Sequence, residues 1–327
     1  MRIFTGIKPT GVLHIGNYFG SIKQLLDYQT NTKDEIIAFI ANAHALTVPV
    51  TRAEYELHIK NLLAGYLAAG IDPERICLYK QTDVPEIFEL AWLLACFCTK
   101  GVLDRAHAYK AYKDAKDNQD DIMGVGIYTY PILMAADILG AGADIVPVGP
   151  DQKQHVEICR DLAIKINHHI SANNHGGFAL SIPEPRIQQE QNIIGLDGRK
   201  MSKSYSNTIG LFESTEALKK LIYGIKTDSS SPKEPKSPET LFQLYEIFAT
   251  TDEIEQLAHK YQTGIGWAEV KQIVYDKIEE FIAPIRAKHA YYMEHEQGLQ
   301  HILKMGANKI RPITQNITDQ LLHHLGL

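Results

Sequence analysis

From Arg2 to Ile166 short apolar runs of strand character alternate with longer runs whose apolar residues recur every three or four positions. This alternation restricts the chain to an α/β fold. Parallel strands need a crossover segment between them, and a helix of this length is the usual one. Arg2–Ile7 reads as a short strand, closed by Gly6 and Pro9. Ile15–Gln29 follows at helical spacing through Phe19, Ile22, Leu25 and Leu26. Glu35–Ala41 is a buried strand, Ala53–Ala69 a helix ending at Gly70, and Ile76–Lys80 a strand. Pro85 opens a helix over Glu86–Cys98, at the helix start where proline is tolerated. Asp144–Val148 is a further strand and Lys153–Ile166 a further helix. In sheets of this kind ligands sit at the carboxyl ends of the strands.

The pattern changes after Ser204. The run Ser229–Pro238 is a loop by its serine, proline and lysine content, and beyond it the apolar spacing is helical throughout. Thr240–Ala249 is one helix and Ala268–Tyr291 a long one, with Pro284 a candidate kink. Leu299–Leu325 supplies further turns, with Pro312 a candidate interruption. A length of 327 residues suits about two domains, here 1–208 and an all-helical 209–327.

A net charge of −6 gives no support for a nucleic-acid partner, but a local basic face would suffice for one. Lys226, Lys233, Lys236, Lys271 and Lys277 are the candidates for such a face. Four cysteines show no C-x-x-C pair; Cys96 and Cys98, in the apolar run Leu90–Cys98, read as buried free thiols, which fits a reduced, cytoplasmic compartment. The N-terminus lacks the apolar core of a signal peptide, and no apolar stretch is long enough to cross a bilayer, so neither a membrane nor DNA is expected as a partner.

Three segments carry chemistry. Gly6, Gly11 and Gly16 surround the first strand-to-helix turn, Gly6–Asn17, where backbone can approach a ligand and helix amides favour phosphate. There His14 and Asn17 are donors; taken alone, the stretch reads equally as a glycine-rich turn capping a helix. Gly198-Arg199-Lys200-Met201-Ser202-Lys203-Ser204 is a loop able to bring two ammonium groups onto one polyphosphate, or a solvated basic loop. In Tyr130-Pro131-Ile132-Leu133-Met134-Ala135-Ala136-Asp137, a carboxylate stands among apolar residues, where it is costly unless it meets a donor. An exposed helix position is the even alternative.

His14-Ile15-Gly16-Asn17 and Lys200-Met201-Ser202-Lys203-Ser204 resemble the two signatures of class I aminoacyl-tRNA synthetases. The second is matched letter for letter, while Asn17 replaces the final histidine of the first. The Met134–Asp137 run, followed by Asp144–His155, is similar to the tryptophanyl-tRNA synthetase family. That resemblance implies a Rossmann-like catalytic domain with a helical anticodon-binding domain after it, the last helix packing back on the catalytic half. It implies activation of L-tryptophan by ATP with Mg²⁺ carried by the triphosphate, transfer to tRNA(Trp), and a homodimer. Lys200, Lys203, His14, Asn17 and Lys113 are the implied catalytic residues, with Lys110 the alternative to Lys113. Lys8, Thr10, Gly16, Asn17, Asp151, Met201, Ser202 and Lys203 are implied to bind ATP. For tryptophan, Asp137 would accept the indole N–H, and Tyr130 and Gln152 would hold the amino group. Phe4, Gly6, His44, Met134, Val146 and Val148 would line the pocket. Gly306-Ala307-Asn308-Lys309 resembles a late turn of the family. A tyrosyl-tRNA synthetase, a small adenylyltransferase and an inactive RNA-binding relative are the rival readings.

Overall fold

The computed structural model describes residues 1–106, 124–172, 177–187, 192–237 and 239–327. Five strands form one parallel sheet: β1 (Arg2–Ile7), β2 (Glu35–Ile40), β3 (Ile76–Lys80), β4 (Ile145–Val148) and β5 (Glu184–Ile187), in the order β3-β2-β1-β4-β5. The strand order reverses between β1 and β4, so the crevice at their carboxyl ends is where a ligand belongs.

Both faces of the sheet are covered, as the unbroken apolar runs require. The two-residue period of β2 divides its side chains cleanly. Ile37 and Phe39 join the core beneath α5 (Glu86–Phe97), α7 (Val125–Gly140) and α8 (Lys153–Ala172). Ile36, Ala38 and Ile40 join the opposite core beneath α2 (Lys23–Asn31) and α4 (Arg52–Ala68). The short helices α1 (Ile15–Asn17), α3 (Asn42–Ala45) and α6 (Lys100–Asp104) lie beside these. Between α1 and α2 the chain makes a π-helical turn, Tyr18–Ile22, inside what the periodicity reads as one helix.

β5 has no counterpart in the sequence reading. Its segment, Glu184-Pro185-Arg186-Ile187, is polar and mostly exposed. Proline is tolerated there because the strand lies at the edge of the sheet.

From Thr215 onward the described residues are mainly helical: α9 (Thr215–Tyr223), α10 (Thr240–Glu246), α11 (Thr251–Thr263), α12 (Trp267–Glu294) and α13 (Glu296–Leu325). Their apolar faces meet in a third core around Leu218, Val270, Val274 and Ile278. Pro284 and Pro312 each sit inside a continuous helix. The cost of a mid-helix proline is about 3 kcal/mol. Around Pro312 it is offset by packing on both sides. Gly306 lies against the backbone of Leu78, and Thr314 lies against Gly140. Gly306–Lys309 is therefore helical interior rather than a turn. An added Cβ at Gly306 would stand 1.9 Å from the Leu78 carbonyl oxygen. Gly306→Ala is expected to destabilise the protein by about 1–3 kcal/mol, the usual cost of overpacking, read from the urea midpoint.

The face expected to be basic is largely spent on internal contacts. Lys236 is buried and donates to Ser230 Oγ and the Ser231 carbonyl, Lys277 pairs with Glu253 at 2.8 Å, and Lys271 donates to the Tyr223 carbonyl. Lys226 and Lys233 are exposed. Helical lysines beside glutamates and carbonyl ends find partners locally, which residue spacing alone does not reveal.

His289 of α12 stacks on Phe212 with ring centroids 3.6 Å apart, and its Nε2 is buried without a partner among the described residues. Burial pushes its pKa down to about 4. The unfolded chain takes up this proton near pH 6.5, so the unfolded state binds more protons between pH 6.5 and 4. Stability is fully present above that window and is lost as pH falls through it. His289→Phe is expected to lose less stability between pH 7 and 5 than the wild type, measured by denaturant titration at each pH.

Candidate active site

The first turn and the lysine loop meet, although they lie 193 positions apart. Lys203 Nζ donates to the Thr10 carbonyl. The segments on either side are stitched by backbone bonds, Ile15 N–H to Ile209 O at 3.0 Å and Leu211 N–H to Leu13 O at 2.8 Å. Gly11 has φ of +78°, a conformation that favours glycine, and a Cβ there would approach Lys203 Nζ. His14 is nearly buried at the entrance to α1. Burial and the Lys203 charge push its pKa down to about 4. At neutral pH it is an uncharged imidazole that can donate one hydrogen bond, and its Nδ1 has no partner among the described residues. Asn17 Oδ1 accepts from the His14 backbone N–H at 3.1 Å, which leaves its Nδ2 as donor. A Cβ on Gly16 would strike His14 Nδ1 at 2.9 Å, so the bare backbone lets the imidazole lie flat on the helix.

Met201 behaves differently from its neighbours. Its side chain is buried in the third core, and its N–H donates to Ile193 O at 2.7 Å. It anchors the loop, while Ser202 is partly exposed and Lys203 reaches the turn. Burial holds Lys203 below the usual lysine range.

At the β1/β4 crevice lies a cavity of about 460 Å³. Phe4, Gly6, Lys8, His44, Tyr130, Met134, Asp137, Val146, Val148 and Gln152 all line it, so the residues anticipated for the amino acid come together with Lys8. Asp137 is wholly buried at its floor. His44 Nε2 lies 2.9 Å from Asp137 Oδ2, and Gln81 Nε2 donates to Oδ1 at 2.8 Å and to Oδ2 at 2.9 Å. Burial pushes the Asp137 carboxyl up, and its bonds with His44 and Gln81 pull it back. A carboxylate offers about four acceptor positions, so capacity remains for one further donor from the cavity.

At the wall, Tyr130 Oη lies 2.9 Å from His155 Nε2, and His155 Nδ1 lies 3.0 Å from Gln152 Oε1. An amide oxygen only accepts, so His155 carries its proton on Nδ1 and Nε2 accepts from the tyrosine. Both Tyr130 Oη and Gln152 Oε1 keep a lone pair for a donor-only group such as an ammonium. Burial and the Asp151 charge push Tyr130 up to about 12, which keeps its hydroxyl protonated. Asp151 is exposed and accepts from Gln152 Nε2 at 2.7 Å. Lys8 Nζ stands 5.3 Å from the Tyr130 ring centroid, joining the cavity to the first turn.

Two residues here were not singled out from the sequence: Gln81 and His155. Gln81 is the first residue past the carboxyl end of β3, the position where the α/β rule places ligands, and that rule was the available signal. Lys110, Lys113 and Lys116 lie outside the described residues. Among the described residues no helix is long and apolar enough to cross a membrane.

The family model for tRNA synthetases class I (W and Y) matches residues 1–283. A tryptophan–tRNA ligase of Xanthomonas campestris is 42% identical over 317 residues, 95% of this chain and 72% of that protein. The tryptophan–tRNA ligase of Rhodopirellula baltica is 40% identical over 331 residues, with 100% of both chains covered. The crystal structure of tryptophanyl-tRNA synthetase from Campylobacter jejuni, complexed with ADP and tryptophan, matches with a TM-score of 0.90 at 38% identity, covering 100% of both chains. The chain belongs to the tryptophanyl-tRNA synthetase family of class I tRNA synthetases.

Proposed function

We propose an assignment of roles in a chain that, like its family, joins tryptophan to tRNA with ATP. The observation that carries it is the contact of Lys203 with the first turn, beside a cavity floored by a carboxylate. Tryptophan enters with its indole N–H on Asp137 and its ammonium between Tyr130 Oη and Gln152 Oε1. Its carboxylate then faces Lys8 and the first turn. One carboxylate oxygen attacks the α-phosphorus of ATP, and the bond to the β-phosphate oxygen breaks. The products are tryptophanyl-adenylate and pyrophosphate. Charge accumulates on the leaving pyrophosphate, where Lys200, Lys203 and the His14 and Asn17 donors would hold it. Thr10, Gly16, Asp151, Met201 and Ser202 would frame the nucleotide, Met201 through its backbone only. The terminal ribose hydroxyl of tRNA(Trp) then attacks the activated carbonyl and releases AMP.

Among the described residues no group of three His, Cys, Asp or Glu is placed to hold a metal ion. Mg²⁺ would come with the triphosphate, whose charge it neutralises. Residues 1–208 would be the catalytic domain and 209–327 the domain that meets the anticodon. A homodimer is supported by the exposed stripe Phe88, Trp92 and Cys96, spaced four apart along α5, with Trp92 71% exposed. Cys96 is exposed rather than buried because it lies on the outer face of α5; action in the cytoplasm still fits four cysteines that are all free thiols.

Pyrophosphate exchange with tryptophan, tyrosine and phenylalanine in turn, followed by charging of tRNA(Trp), tests this reading. Exchange driven by tyrosine rather than tryptophan would overturn it.

A further inference from the structure

Asn207 lies outside the lysine pentamer, yet it is 2% exposed and every polar atom of its amide is used. Its Oδ1 accepts from the Ser202 backbone N–H at 2.8 Å. Its Nδ2 donates to Asp197 Oδ1 at 2.7 Å and to the Lys200 carbonyl at 3.2 Å. Its own carbonyl accepts from Leu196 N–H at 2.9 Å. Gly195 makes room, since a Cβ there would stand 2.4 Å from the Asn207 amide carbon. One side chain thus grips the backbone on both sides of Met201, whose own side chain is sunk in the core. Asp197 is tied in turn to the Arg199 backbone N–H at 3.1 Å and to Arg199 Nε at 2.7 Å.

We propose that Asn207 is a positioning residue for the adenylation step: it sets the backbone from which Lys200 and Lys203 project and so aims both ammonium groups at the leaving pyrophosphate. The proposal rests on the roles given above to the two lysines. A carboxamide suits the task because the site needs one acceptor and two donor hydrogens side by side, and only Asn and Gln carry an acceptor oxygen beside an NH₂ on one planar group. Oriented cations lower a barrier only when they are already in place as charge develops. A loop free to wander would keep its lysines and lose most of their effect.

The test is pyrophosphate exchange in the full chain, with tryptophan affinity measured separately by calorimetry without ATP. Asn207→Ala is expected to lower the exchange kcat by about 10²-fold, the effect of losing one oriented donor, while tryptophan affinity stays within about twofold. Asn207→Asp sets two carboxylates face to face and should lose at least as much. Adding Asp197→Asn to it removes the facing carboxylates but leaves the Arg199 N–H and the Lys200 carbonyl without their partners, so it should recover only part of the loss of Asn207→Asp. Asn207→Ala placed in a Lys200→Ala/Lys203→Ala background should cost almost nothing more, because it acts through those lysines. Wild-type exchange in Asn207→Ala, or an undiminished loss in the lysine-free background, would overturn the proposal. Should Asn207→Ala fail to fold, Asn207→Asp in the wild-type and Lys200→Ala/Lys203→Ala backgrounds decides, and an undiminished loss in the lysine-free background is against the proposal. A wild-type chain inactive with tryptophan would instead defeat the parent assignment.

Discussion

Asp137→Ala is expected to collapse the preference for tryptophan over phenylalanine while leaving ATP affinity nearly unchanged. The indole N–H is a donor only, and Asp137 has acceptor capacity to spare after His44 and Gln81 are served. Phenylalanine in the same cavity would leave a buried carboxylate under-bonded. Sites built around such a bond reject analogues that lack it by about 10⁴–10⁵. Alanine removes the acceptor, so tryptophan loses its bond and phenylalanine loses its penalty. The ratio of kcat/KM for the two amino acids should fall toward what shape alone gives, about 10–200-fold for a hydrophobic pocket. Tyrosine is the sharper control. Its hydroxyl could donate to Asp137, so its exclusion must come from the walls at Met134, Val146 and Val148. An unchanged tryptophan-to-phenylalanine ratio would place Asp137 outside recognition. The carboxyl also gives a pH signature. Burial raises it, so its ionised form costs the folded state stability above the raised pKa and nothing below the ordinary carboxylate range. Tryptophan affinity should fall on acidification at a pH above that ordinary range, and Asp137→Asn should abolish this acid limb.

Much of this site could be read before the coordinates, because its parts are local. The pentamer Lys200–Ser204 and the turn around His14 announce themselves by residue type and order. Strands β2, β3 and β4 are apolar runs buried on both faces, and β1 is buried at Ile3 and Phe4. What escaped notice depends on neighbours distant in sequence. Gln81 is an ordinary residue until the sheet brings it to Asp137, 56 positions away. Asn207 matters because Asp197, Lys200 and Ser202 fold back upon it. Met201 sits in a binding motif, yet packing places its thioether in the core. Edge strand β5 has no apolar signature because an edge asks for none. Pro312 reads as a candidate interruption, but its helix runs through it under tertiary packing, as the helix around Pro284 does. Lys113 was placed by resemblance, and its position lies outside the described residues.

Lys200→Ala and Lys203→Ala are each expected to slow adenylate formation by about 10²–10³-fold, or about 2.7–4 kcal/mol of activation free energy, with tryptophan affinity hardly altered. Neither lysine lines the amino-acid cavity. Their charge counts where it was absent in the ground state, on the pyrophosphate as it departs. The two should differ in a second respect. Lys203 is tied to the Thr10 carbonyl and its charge helps hold His14 neutral. Removing it should let the His14 pKa rise, so an imidazole near neutrality at pH 7 becomes partly protonated on acidification. Burial still holds His14 below its ordinary value, so the exchange rate of Lys203→Ala should fall on acidification at a higher pH than that of Lys200→Ala, though below pH 6.5. Lys203→Arg keeps charge but is longer and planar, and should restore the His14 titration without restoring the full rate, since aim as well as charge is required. Pyrophosphate exchange across pH 5–8 for the three variants, beside calorimetric tryptophan binding, separates these effects. Wild-type rates in both alanine variants would remove the loop from the chemistry. Equal losses of rate and tryptophan affinity would show that the lysines bind substrate and transition state alike, which lowers KM without lowering the barrier.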